Sequence, residues 1–298
     1  SLPDNVTFCS NTAITFTASS TGATNYNFTI DGGSVQSGAS STFLAVAGTV
    51  SNSSVVGVIV TGPSGCTAST TLTMVENKIT TVGTIATVST TICPGVVPAL
   101  ITGTAGAVAP GGTLGYQWQT SPNGNPPWTN IAINGTSATY TPTAPITEKI
   151  YYKRITKSTR GGGAIVCQEA SNVVAVSMET LPTAVLKGYP GIPPAGEVTA
   201  TGTLTVCVGE TAYFYGSGTG AVEYEFFIGG ASAGARSAVS TYTSSLLNTG
   251  QQVTVRTYNA AGCFVDSDII NIVTTTPPVI DFASSLPDNV TFCSNTAI

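Results

Sequence analysis

Apolar residues come in short runs along this chain, and each run stops at a cluster of turn formers. Three of the runs end in cysteine: NVTFC at 5–9, TTIC at 90–93 and TLTVC at 203–207. Past each of these cysteines comes a Tyr-x-aromatic run: Tyr26 and Phe28, Tyr116 and Trp118, Tyr224 and Phe226. The second aromatic lies 19 residues beyond the cysteine in the first and third cases and 25 beyond it in the second. In VEYEFF the alternation places Glu223 and Glu225 on one face and Tyr224 and Phe226 on the other, the signature of a half-buried strand. Turn signals follow at Asp31-Gly32-Gly33, Pro122-Asn123-Gly124 and Gly229-Gly230, so each aromatic strand is predicted to enter a hairpin.

Composition sharpens this to an all-β chain. Thr, Ser, Gly and Val dominate and only 8% of residues are charged, a mix that favours strands and turns over helices. The mean hydropathy of +0.28 is high, yet the most apolar stretch, Val96 to Pro110, is interrupted by Gly, Thr and Pro, so no membrane insertion by this segment is expected. A net charge of -5 removes the electrostatic basis for nucleic-acid binding. No signal peptide is visible, as expected of a window from inside an array.

That array is announced by repetition. Ser1 to Ile14 (SLPDNVTFCSNTAI) recurs unchanged as Ser285 to Ile298, a period of 284 residues. The chain therefore reads as one period plus the start of the next, and its expected partners are neighbouring copies in one polypeptide.

The seven cysteines are Cys9, Cys66, Cys93, Cys167, Cys207, Cys263 and Cys293, and the last is Cys9 of the next copy, leaving six per period. Taken in order they predict three bridges, Cys9–Cys66, Cys93–Cys167 and Cys207–Cys263, with Cys293 pairing forward. The first of each pair ends a strand; the second follows a turn-like or Gly-rich stretch (GPSGC, GGGAIVC, NAAGC). With no histidine and no Cys-x-x-Cys spacing, disulfides are favoured over zinc, and disulfides imply an oxidising, extracellular setting.

A large ring between two cysteines is the immunoglobulin-like arrangement, with Phe28, Trp118 and Phe226 as the core aromatics. The expectation is three tandem sandwiches: 1–79, lacking its first strand, then 80–182, then 183–278, with 279–298 opening the next copy. Prolines at 182, 193–194 and 277–278 mark semi-rigid junctions, and at about 30 to 35 Å per sandwich a period spans roughly 100 to 130 Å.

The middle stretch, YQWQTSPNGNPPWTNI, ATYTPTAPITEKIYYKRI and CQEASNVVAVSM, resembles the immunoglobulin-like and PKD-like repeats of giant gliding-motility adhesins of Bacteroidota, of the SprB type. The first and third units, with VIVTGPSGCTASTTLTMV and VRTYNAAGCFVDSDIINIV, resemble the shorter form of that repeat. The resemblance implies export by the type IX route and a cell-surface role in adhesion or gliding. The rival expectation is a filament or sheath subunit without a specific ligand. Carbohydrate-binding modules attached to a secreted enzyme are a third reading, which near-identical copies disfavour.

Enzymatic chemistry is not expected, because the absence of histidine excludes Ser-His-Asp and Cys-His arrangements and the cysteines are assigned to bridges. No cofactor is expected. Asp266, Asp268, Asp4, Asp31 and Asp281 offer oxygens to calcium at junctions, though without an acidic loop of the density calcium needs. Five of the nine basic residues, Lys149, Lys153, Arg154, Lys157 and Arg160, fall within twelve positions, a candidate face for anionic surface polysaccharide. Alternation does not settle which of them faces outward, and a solvated strand guarding a sheet edge is the plainer reading. Trp128 is either a sugar-stacking platform or a ring packed on the sheet. The sequons at Asn5, Asn27, Asn52, Asn134 and Asn289 are read as accidental in a bacterial chain.

Overall fold

The structure, a computed structural model, describes residues 5–280 apart from 195 and 200. Asp4, Asp281, Phe282, Asn289, Cys293 and its forward pairing lie outside them. Every element of regular secondary structure among the described residues is a strand. The chain forms two compact units, one running to Met178 and one starting at Glu179.

The first unit opens with β1 (Asn5–Cys9), β2 (Ile14–Thr17), β3 (Asn25–Ile30), β4 (Gly33–Gly38), β5 (Thr42–Ala45), β6 (Val55–Thr61) and β7 (Thr67–Asn77). One sheet runs β1-β7-β6-β3-β4 and faces the β2–β5 pair. Alternation in NYNFTI turns Tyr26 and Phe28 inward, where Phe28 stacks obliquely on Phe43 with Phe8, Phe16, Val56 and Met74 around it. Each such side chain contributes about 1.5 to 3 kcal/mol by leaving water. The β3–β4 hairpin turns on Asp31 and Gly32, both at positive φ, which is why Asp-Gly stands there.

The same unit continues with β8 (Ile79–Thr81), β9 (Ile85–Thr87), β10 (Thr91–Ile92), β11 (Ile101–Gly103), β12 (Ala107–Val108), β13 (Thr113–Ser121), β14 (Thr129–Asn130), β15 (Ile150–Arg160), β16 (Ile165–Ala170) and β17 (Val174–Met178). The main sheet is β10-β17-β15-β13-β14, with β16 extending β15; β9–β11 and β8–β12 are short pairs outside it. A second core gathers Trp118, Tyr140, Tyr152, Ile85, Ile101 and Val176. β15 is a central strand here, bonded to β13, β16 and β17, so its charges do not guard an edge.

The second unit contains β18 (Val185–Tyr189), β19 (Val198–Thr199), β20 (Thr203–Cys207), β21 (Ala212–Ser217), β22 (Glu223–Ile228), β23 (Ala231–Ser232), β24 (Thr241–Ser244), β25 (Gln252–Tyr258), β26 (Phe264–Asp266) and β27 (Ile270–Thr275). Sheets β20-β27-β25-β22-β23 and β19-β18-β21-β24 enclose Phe214, Phe226, Leu204, Val253 and Ile270. It repeats the plan of the first core: β20 lies parallel to β27 as β1 lies parallel to β7, and a two-residue turn at Gly229-Gly230 replaces Asp31-Gly32. The fold is all-β and immunoglobulin-like, sheet against sheet over an aromatic on a central strand.

Candidate functional site

Strand direction decides the cysteine chemistry. β1 and β7 run parallel with Cys9 opposite Asn77, the last residue of β7, whereas Cys66 precedes Thr67, its first. An eleven-residue strand therefore separates Cys9 from Cys66, about 35 Å, far beyond disulfide reach. Cys9 instead bonds Cys167, 158 residues away, with Cα atoms 5.5 Å apart. The expected Cys9–Cys66 and Cys93–Cys167 bridges are thereby corrected. The second unit follows the same geometry: Cys207 is in register with Thr275 at the end of β27 and Cys263 precedes β26, so the Cys207–Cys263 expectation also fails, and Cys207 is a free thiol. Cys66 is free and exposed; Cys93 and Cys263 are both disulfide-bonded.

The Cys9–Cys167 bridge joins the first core to the second at a place already fixed by hydrogen bonds. Across β15–β16, Cys167 stands opposite Ser158, and the buried Asn77 donates to the Ser158 carbonyl at 2.9 Å while its own side-chain oxygen accepts from the Ser158 hydroxyl. Arg160 Nη1 donates to Glu76 O at 3.3 Å, and Ala109 N donates to Lys78 O at 2.9 Å. The junction is thus a covalent and hydrogen-bonded joint without slack. Closing a loop of this length constrains the unfolded chain by about 5 kcal/mol at most.

The basic strand separates into two faces. Tyr151, Lys153 and Lys157 share the outward parity of β15, with the exposed Lys149 just before the strand; Tyr152, Arg154, Thr156 and Ser158 point inward. Lys153 Nζ sits 4.3 Å from the Trp128 ring centroid, and Lys149 Nζ 4.9 Å from that of Tyr151. Trp128 is half-buried with one ring face taken by Lys153, whose pKa burial lowers.

Arg154 is the correction within the candidate glycan set, because it is fully buried. Its Nη1 donates to Ala138 O and its Nη2 to Thr104 O, both at 2.6 Å, and the guanidinium lies 4.3 Å over Tyr116. Burial pulls its pKa down, countered by Tyr116. A Cβ at Gly103 would collide with that guanidinium, so glycine stands where the charge must fit. Beside this strand, Tyr140, Tyr152, Ile131, Pro142 and Ile146 line an open cleft of about 480 Å³. Burial, with Tyr140 second, pushes the Tyr152 hydroxyl up to about 12.

Phe28, Trp118 and Phe226 lie buried, one in each core, and Trp118 Nε1 donates to Ser137 O at 2.8 Å. In the second unit the carboxylates are engaged. Glu225 accepts from Tyr258 and Ser232, which lower its pKa, and Glu223 pairs with Arg236. Asp266 takes a two-pronged bond from Arg256. Among the described residues no three His, Cys, Asp or Glu side chains gather as a metal site would. Among the described residues no helix is long and apolar enough to cross a membrane.

These features define a class: immunoglobulin-like sandwiches in which a disulfide joins one core to the next. A domain of unknown function, DUF8696, matches residues 81–180. No curated protein sequence matches the chain. Among solved structures, the chain is similar to one described as giving structural insight into host cell surface retention of a 1.5-MDa bacterial ice-binding adhesin, at 13% identity and a TM-score of 0.35, over 91% of this chain and 94% of that one. It is also similar to the N-terminal four Ig domains of Dscam1 isoform 6.9, at 11% identity and a TM-score of 0.26 over 90% and 71%. The fibronectin(III)-like modules of Clostridium thermocellum CbhA match at 12% identity and a TM-score of 0.33 over 68% and 100%. At such scores nothing about function is carried over.

Proposed function

We propose that the chain is one period of an extracellular repeat protein that serves as a covalently jointed spacer in cell-surface adhesion. The Cys9–Cys167 bridge carries this reading, because it continues a covalent connection from one sandwich into the next beside the peptide backbone. Such a joint suits a segment that transmits tension outside the cell, where disulfides persist. The unchanged return of Ser1 to Ile14 at Ser285 supports an array. Gliding motility and type IX export are supported by the sequence resemblance alone. The role is not catalytic: Glu223, Glu225 and Asp266 are engaged by Arg236, Tyr258 and Arg256. A surface polysaccharide would meet the chain at Lys149, Lys153, Lys157 and Trp128, with Arg154 excluded by burial.

Electrophoresis of the native protein under denaturing, reducing conditions tests the array. One polypeptide spanning many 284-residue periods is expected. A reduced polypeptide of a single period would replace the spacer with the alternative, a filament of separate subunits.

A further inference from the structure

Among the described residues two thiols, Cys66 and Cys207, are free, and they are structural twins of two bridged cysteines. Cys207 ends a first strand that lies parallel to the last strand of its sheet, as Cys9 does. Cys66 closes the turn after β6 as Cys263 closes the turn after β25. In the first, Gly62 N donates to Cys66 O at 2.9 Å; in the second, Asn259 N donates to Cys263 O at 2.9 Å. Both turns carry glycine at positive φ just before the cysteine, Gly65 and Gly262. Yet Cys9 and Cys263 are bridged, while Cys66 and Cys207 are not.

The rule set by Cys9–Cys167 is that the strand-end cysteine of one sandwich bonds the hairpin cysteine of the next. Applied to Cys207, whose sandwich is the last of the period, the rule names the hairpin cysteine of the sandwich that follows, the counterpart of Cys66 in the next copy. Applied backward to Cys66, it names the counterpart of Cys207 in the preceding copy. The thiols left over are the two whose partners the rule assigns to neighbouring copies.

We infer that Cys207 of each copy forms a disulfide with Cys66 of the copy after it, so that the joint within a period is repeated between periods. This rests on the array reading above. Two thiols become one S–S bond, and their two protons and two electrons pass to the disulfide of a thiol–disulfide oxidoreductase met on export, which leaves as its dithiol. Cys66 is exposed and Cys207 half-exposed, so neither needs unfolding to react. A zinc site at these thiols is disfavoured by the absence of histidine.

The test is a peptic map of the native protein, alkylated before digestion and left unreduced. A linked peptide joining the segments around Cys66 and Cys207 is expected. Cys66 or Cys207 found alkylated, or bonded to any other cysteine, overturns the inference. To show that the bond runs between copies, the purified 298-residue chain is alkylated as a monomer: modification of both thiols is expected, and a Cys66–Cys207 bond inside the monomer overturns it. The reduced mass separates the two claims. If the reduced polypeptide is one period long but the linked peptide is present, the array falls and the joint stands between separate chains. If it spans many periods and the linked peptide is absent, the joint falls and the array stands.

Discussion

Arg154 carries a charge into the second core, and its guanidinium donates to carbonyls, those of Ala138, Thr104 and Val82, with Nε left unpaired. Tyr116 and Trp118 supply ring faces at 4.3 and 5.9 Å. Removing such a group takes the donor from part-buried carbonyls and replaces a fully buried side chain, so Arg154→Met should lower thermal stability by about 1 to 3 kcal/mol. Gly103→Ala should act in the same direction by displacing the guanidinium, whereas Lys153→Gln, on the outward face, should change stability by less than about 1 kcal/mol. Circular-dichroism melts check this; an Arg154→Met chain that melts with the wild type would show the residue to be dispensable for the core. The sequence could not sort these residues because the inward face of IYYKRITKSTR turns from apolar at Tyr152 to polar at Arg154, Thr156 and Ser158. Period-two reasoning assumes an apolar interior, and this interior is polar where it meets the Asn77 junction.

β2 and β21 hold the same place in their cores but have different neighbours. In the second unit β21 has β18 on one side and β24 on the other, and Leu186 of β18 is fully buried. In the first unit β2, the counterpart of β21, pairs among the described residues with β5 alone. Beside it lies a groove of about 630 Å³ lined by Phe16, Phe28, Val56, Val58 and Leu72. The run VIDFAS at 279–284 precedes the repeat of Ser1, and its first two residues are 97% and 81% exposed in this chain. The preceding copy's VIDFAS is therefore the expected occupant, and placing those six residues ahead of Ser1 should stabilise the first core by about 3 to 6 kcal/mol. Calorimetry should show its transition rising by several degrees; unchanged melting would assign VIDFAS to linker. Hairpins at Asp31-Gly32 and Gly229-Gly230 were legible because positive φ selects residues locally. The broken second layer of the middle core was not, because side chains hold it: Asn172 caps both the amide and the carbonyl of Ile85, and the Tyr116 hydroxyl accepts from Gly106 N.

At the scale of the whole molecule, cysteine spacing reveals a repeating frame but conceals its connectivity. Flanking residues distinguish strand-end from hairpin cysteines, yet the pairing depends on β1 and β20 running parallel to the last strands of their sheets, which no local pattern encodes. Parallel placement sends Cys9 to the far end of the sandwich, where the next one begins. Tension applied along the chain therefore meets the bridge before it can extend the residues between Cys9 and Cys167. Single-molecule pulling of this chain, with and without a reductant, tests that claim most directly. Without reductant the Cys9–Cys167 bridge should keep the 158-residue span it closes from extending fully, and reduction, which also opens the bonds of Cys93 and Cys263, should release at least roughly 500 Å of additional contour length. A release limited to the shorter spans of Cys9 to Cys66 or Cys93 to Cys167, or the same contour length in both conditions, would contradict a covalent joint between successive sandwiches.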